Sequence, residues 1–261
     1  MSFPRVFVIN LPRDVDSKTA MVSRLDAIGI VPEFIEGVDG ATLDLEQSPF
    51  YDGAHRRRCY GRDMTAGELG CLLAHRKIFE KMVDEGMAHA IVLEDDVMFE
   101  DDFPAVVRAL IDDPRPWDVI RFLGAGKIYD RGCRIIAPLL GRYALARLPT
   151  APGGAHAYLM TLKAARVMVA HTRVNWVPID TLQGRCWETG LETLVVHPAP
   201  LGTDPEAVST IGDVRFDKTV RSTGWARRLY PLTRFWFKLC EGLGKRFVFL
   251  SAWFRDQKTY R

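Results

Sequence analysis

Glu94-Asp95-Asp96 sets three carboxylates in a row directly behind the apolar run Ala90-Ile91-Val92-Leu93. A short continuous apolar run with β-branched members reads as a strand covered on both faces, as in a parallel sheet. In open α/β sheets, ligands bind beyond the carboxyl ends of such strands. Adjacent acids repel one another, and a hard divalent cation among them relieves the repulsion. The chemistry indicated is Mg²⁺ or Mn²⁺ held against a phosphate-bearing substrate. A solvated acidic loop is the competing reading, and Glu100, Asp101 and Asp102 just downstream favour it. Side-chain alternation turns Glu94 and Asp96 to one side and Asp95 to the other.

The elements that must position these acids follow from periodicity. Arg5 to Leu11 reads as a first buried strand, with a turn at Pro12-Arg13-Asp14. Met21, Val22, Leu25 and Ile28 then recur at helical spacing and stop at Gly29. Phe34-Ile35 suggests a second strand, and strand–helix–strand over this length is the unit of a parallel sheet. Residues 41–63 lack a strong period and carry His55-Arg56-Arg57-Arg58, which predicts an irregular loop. Thr65 and Glu68 have the spacing of a helix capping box, and the helix they open runs to Gly86. Beyond the acids, Val106, Val107, Leu110 and Ile111 predict a helix, and Asp118 to Gly124 a strand. Residues 133–148 suggest shorter, antiparallel strands. Ala157 to Met160 leads into a helix near Ala164–His171, and Leu194-Val195-Val196 is a last short strand. The fold class is α/β, with residues 1–220 as one compact domain and 221–261 as a tail.

Composition narrows the classes. The chain has 261 residues, 48% hydrophobic and 26% charged, enough for a substantial core. Pro4 and Arg5 interrupt any apolar start, so a secretory signal is not expected, and no stretch has the length of a spanning helix. Five cysteines, odd in number and without CxxC spacing, fit reduced thiols in a cytoplasm better than disulfides or structural zinc. The net charge of +2 hides an asymmetry, because residues 221–261 hold ten Lys/Arg and only two acids. An acidic body with a basic tail is not a nucleic-acid-binding pattern, so no nucleic-acid partner is expected. In the tail, Leu229, Leu232, Trp236, Leu239, Leu243, Phe247, Leu250 and Phe254 recur every three or four residues among basic and further aromatic side chains. That pattern suits the surface of an anionic bilayer, with packing on the body as the alternative. Gly242 and Gly244 are expected to divide the tail into two helices.

Several stretches, in order, resemble glycosyltransferase family 25, which includes bacterial lipooligosaccharide biosynthesis transferases and animal collagen galactosyltransferases. They are Val8-Ile9-Asn10-Leu11 with Arg13, Phe34 to Gly40, Gly67 to Cys71 with His75, and Val92 to Asp96. Gly154 to Leu159 and Pro178-Ile179-Asp180 continue the match, which extends over roughly residues 5–211. Ala74 departs from the serine the family often has before the histidine. The resemblance implies a GT-A-like, Rossmann-type, mostly parallel sheet flanked by helices. It also implies a UDP-sugar donor, Mn²⁺ (or Mg²⁺) dependence and inversion at the anomeric carbon.

Roles implied by the resemblance distribute as follows. Asp96 is the first choice for direct metal ligation, with Glu94 or Asp95 reaching metal, ribose or donor sugar. His197, after the last strand, is a candidate third metal ligand. Asp180 is the candidate general base, with Glu188 or Glu192 as substitutes and a helix-capping role as its competitor. Asn10, Leu11 and Arg13 stand where nucleotide base and ribose would lie. His75, Gly154 and His156 are candidate donor contacts, although a buried structural histidine and plain turn chemistry explain them as well. The expected reaction is transfer of a hexose, galactose above others, onto a lipooligosaccharide or related glycan or glycolipid acceptor at the cytoplasmic face of the inner membrane. A metal-dependent nucleotidyl transferase or phosphohydrolase is the rival enzyme, and a non-catalytic sugar-nucleotide-binding scaffold the rival without chemistry.

Overall fold

A computed structural model describes residues 2–122, 132–149, 153–204, 220 and 224–259, without the side chains of 226 and 257–259. The expected strand ends at Leu123-Gly124 and the resemblance at 205–211 therefore lie outside the described residues. Strand β1 (Arg5–Asn10), helix α1 (Val15–Ala27) and strand β2 (Pro32–Glu36) form the expected parallel unit. Helix α2 (Gly53–Tyr60) follows, then α3 (Ala66–Asp84) and β3 (His89–Glu94). β3 lies parallel to β1, with Ile9 opposite Glu94. Both central strands are covered on both faces. Val6, Val8, Ile91 and Leu93 pack on one side with Met21 and Leu25 of α1 and with Val106, Val107 and Leu110 of α4 (Phe103–Asp112). Phe7, Ala90 and Val92 pack on the other with Leu72, Phe79 and Met82 of α3. The capping box is present: Glu68 N donates to Thr65 Oγ1 at 3.1 Å, and Thr65 N to Glu68 Oε2 at 2.7 Å.

The remaining strands are β4 (Val97–Phe99), β5 (Val119–Arg121), β6 (Arg134–Leu140), β7 (Tyr143–Arg147), β8 (Ala157–Thr161), β9 (Thr193–His197) and β10 (Leu201–Thr203). The main sheet has eight strands in the order β2-β1-β3-β8-β5-β9-β7-β6, while β4 and β10 form a small antiparallel pair. β7 and β8 run against the other strands, so the sheet is large and mostly parallel in direction. The reversal at β8 brings the start of that strand beside the end of β3. Helices α5 (Leu162–His171), α6 (Ile179–Gln183) and α7 (Cys186–Thr189) complete the body.

Two expectations are corrected. Residues 53–60 form a helix instead of an irregular loop. Its sequence has no apolar stripe, and it is held both by local contacts and by remote ones: Thr233 and Arg234 of the C-terminal helix donate to the Arg58 and Cys59 carbonyls, and His55 stacks on Trp176. Asp52 Oδ1 caps it by accepting from His55 N at 2.8 Å, and the buried Arg56 guanidinium stacks 3.7 Å over Tyr60. The tail is one continuous helix, α8 (Gly224–Thr259), not two. Gly244 does not break it. A Cβ there would come within 2.6 Å of the Trp187 ring, so the glycine lets the helix approach the body.

Candidate active site

The acids stand where β3 ends, and the antiparallel partner β8 decides what faces them. Leu93 pairs with Ala157, and Glu94 N donates to the carbonyl oxygen of His156 at 2.7 Å. The His156 ring is thereby set over the carboxylates. Its Nδ1 lies 2.8 Å from Glu94 Oε2 and 3.4 Å from Asp96 Oδ2. Asp95 turns the other way and accepts from Asn10 Nδ2 at 2.6 Å, which agrees with the alternation expected along Glu94-Asp95-Asp96. One potential ligand atom from each of Glu94, Asp96 and His156 falls within 4.8 Å of the others. Burial opposes the His156 imidazolium, but contacts with Asp96 and Glu94 and their charge outweigh it, raising its pKa to about 10. Burial alone would raise the Glu94 carboxyl, yet His156 and His75 hold it well below the usual carboxylate range. Burial pushes the Asp95 carboxyl up.

The cluster fits a divalent cation. Asp96 Oδ1 is buried and makes no hydrogen bond with a protein partner. Carboxylate oxygens with one imidazole suit Mn²⁺ or Mg²⁺ better than a soft metal. A second grouping, Cys71, His75 and Glu94, shares the same carboxylate from behind. Burial drives the Cys71 thiol well up in pKa, so it remains a protonated neighbour and not a thiolate ligand.

His75 sits behind the site. It is fully buried, with Nδ1 2.7 Å from the Tyr158 hydroxyl and Nε2 3.7 Å from Glu94 Oε1. Its ring reaches the acidic cluster through Glu94. Asn10 is likewise a support, here for Asp95. Leu11 lies beside Gly37, and Arg13 pairs with Asp39 at the mouth of the β1 end.

Gly154, two residues before His156 in the same loop, ties that loop to the candidate base. Gly154 N donates to Asp180 Oδ2 at 2.9 Å, while the buried Arg121 guanidinium at the end of β5 donates to the Gly154 carbonyl oxygen. Asp180 Oδ1 also accepts from Thr181 N at 2.6 Å. Asp180 and Gly153 open onto a cleft walled by Trp187 of the body and by Lys238 and Lys245 of α8. Glu188 is held by Arg185, whose Nε donates to Glu188 Oε2 at 2.6 Å. Glu192 pairs with Arg147 and Arg255. His197 ends β9, opposite Ala144 and three places from β3 in the sheet, and it joins no group of three potential ligands among the described residues. His156, expected as a donor contact, is the histidine that groups with Glu94 and Asp96. Arg121 and Tyr158 were not anticipated. A lone cation in the apolar run Val119-Ile120-Arg121-Phe122 was the available signal for the first.

Residues 3–132 match the model of glycosyltransferase family 25 (LPS biosynthesis protein), and the chain belongs to that family. It is 31% identical over 197 residues to the probable inactive glycosyltransferase 25 family member 3 of Bos taurus, covering 69% of this chain and 31% of that one. It is 34% identical over 132 residues to procollagen galactosyltransferase 1 of Danio rerio, covering 46% and 21%. The chain thus spans less than a third of the length of these relatives. Among solved structures, the inositol-1-phosphate CTP transferase from T. maritima overlays with a TM-score of 0.35 and 12% identity, over 80% of this chain and 93% of that one. That overlay is too loose to bear on fold family or reaction.

Proposed function

We propose that this chain is a metal-dependent, inverting glycosyltransferase of GT-A type that moves a hexose from a UDP-sugar to a glycan acceptor. The observation that carries the reading is the joined arrangement of Glu94, Asp96 and His156 with Asp180, through the Gly154 peptide. Bound Mn²⁺ or Mg²⁺ would neutralise charge developing on the leaving diphosphate. Asp96, Glu94 and His156 would hold it, with Asn10 fixing Asp95 toward the ribose or sugar. Asp180 faces the cleft and would accept the proton of the attacking acceptor hydroxyl, while the Gly154 and Thr181 N–H groups keep its carboxylate in place and Arg121 holds the Gly154 carbonyl. Galactose as donor sugar is supported by relatives named procollagen galactosyltransferase, and a lipooligosaccharide-type acceptor by the family description. Family membership alone does not carry activity, since some relatives are named inactive. The intact acid–imidazole cluster does support it. The five free cysteines suit a reducing, cytoplasmic setting.

The test is a panel of UDP-sugars assayed for Mn²⁺-dependent UDP release, with and without a lipooligosaccharide-derived acceptor. Release of UDP that depends on both metal and acceptor supports the reading. Release of phosphate or nucleotide without any glycan would assign the site to a phosphohydrolase or nucleotidyl transferase. Binding without turnover would assign it to a scaffold.

A further inference from the structure

The C-terminal helix presents two unlike faces. Its inner face docks on the body through polar and aromatic contacts: Thr233 Oγ1 donates to the Arg58 carbonyl at 2.7 Å, Phe237 packs 5.2 Å from Tyr60, and Ala252 is fully buried. Its outer face carries Trp225, Leu232, Trp236, Leu243, Phe247 and Phe254, each more than half exposed. Their spacing of seven and four residues keeps them on one stripe, about 44 Å long at the helical rise. Core packing therefore does not account for the stripe. Charge is sorted the same way. The only acids of the helix, Glu241 and Asp256, are buried: Glu241 pairs with Lys238 and Lys245, and Asp256 with Arg147. Arg227, Arg228 and Arg246 are exposed. At 100° per residue, Arg228 and Arg246 fall along one margin of the stripe. No described helix of the chain is long and apolar enough to cross a membrane.

We propose that the outer face of α8 docks the protein onto the surface of an anionic lipid bilayer. An apolar stripe of this size marks an interaction surface, and a basic margin without outward carboxylates selects anionic headgroups. A second copy of the chain would bring basic margins against each other, so it is the disfavoured occupant. Docking does not depend on the proposed reaction. If that reading also holds, Lys238 and Lys245 set the cleft about one helix diameter, ~10 Å, from the headgroups, within reach of an acceptor anchored in the same bilayer.

The experiment is co-sedimentation of the full chain with phosphatidylcholine vesicles, with or without phosphatidylglycerol, at low and high salt. Binding to the anionic vesicles, weakened but not abolished by salt, is expected. The double variant Trp236→Ser/Phe247→Ser should lose at least tenfold in binding with an unchanged Tm. Because a variant can fail to fold, the unaltered chain is also tested for quenching of its tryptophan fluorescence by brominated lipid chains, which docking requires. Absence of binding or quenching overturns the proposal. So does equal binding by a folded variant, or a lipid-free dimer that the variant converts to monomer. None of these readouts involves sugar transfer, so failure here is separable from failure of the proposed reaction.

Discussion

A Cβ placed on Gly154 would stand 2.3 Å from Nε2 of His156, in a backbone already at φ +75°. The glycine is what allows the imidazole to fold back over its own loop and reach Glu94 and Asp96. Gly154→Ala would impose a left-handed conformation costing about 1–2 kcal/mol and push the ring from the carboxylates. The variant is expected to keep its secondary structure and to lose much of its Mn²⁺ affinity, read by titration calorimetry. Unchanged affinity would show that His156 is not part of the metal site.

Local signals carried most of the fold into the sequence. The period-3.6 runs, the Thr65–Glu68 box and the apolar run at 90–93 each predict an element found in place. α2 was hidden because its last-turn carbonyls, those of Arg58, Cys59 and Tyr60, are bonded by Thr233, Arg234 and Tyr230 of α8, which no window of residues 53–60 contains. The site was legible in part for the same reason. Glu94-Asp95-Asp96 announces itself by adjacency, whereas His156 joins it only through the antiparallel pairing of β8 with β3, about sixty residues apart in sequence. Arg121 and Tyr158 act on neighbours that are remote along the chain, so composition and spacing had little to say about them.

Removing the Asp96 carboxylate should separate chemistry from folding. Asp96 is partly exposed and lies 3.4 Å from His156, while the fully buried Leu93 and Val97 on either side hold the chain in place. Asp96→Ala is expected to lose transfer while its metal-free Tm shifts little, and added Mn²⁺ should no longer raise that Tm. Retained turnover with undiminished metal dependence would sink the ligand assignment.

The metal-free cluster should leave a signature in the pH dependence of stability. His156 has a folded pKa raised from 6.5 to about 10. Its contribution is therefore complete below about pH 6.5 and fades as pH rises through 10. Glu94 is depressed, so its contribution is present above its ordinary value of 4.5 and is lost only as pH falls well below it. In EDTA, the stability gap between the unaltered chain and His156→Gln, measured by urea unfolding, should be widest near pH 6 and shrink toward pH 10. A gap that stays constant across that range would contradict the ion cluster.

Asp180 has two separable duties, and one substitution divides them. Its Oδ2 accepts from Gly154 N at 2.9 Å, which steadies the loop beneath His156, and the side chain also faces the cleft as the proposed base. An asparagine oxygen can still accept that hydrogen bond but cannot take a proton from an acceptor hydroxyl. Asp180→Asn should then preserve UDP-sugar and Mn²⁺ affinity while turnover falls by about 10²–10⁴, the usual effect of a lost general base. Asp180→Ala should lose both, because the Gly154 loop is released as well. Comparing kcat with donor Kd for the two variants decides the matter. Near-normal turnover in Asp180→Asn would make Asp180 a loop anchor alone. With Glu188 and Glu192 held by Arg185, Arg147 and Arg255, the acceptor proton would then need a carrier from outside these three carboxylates.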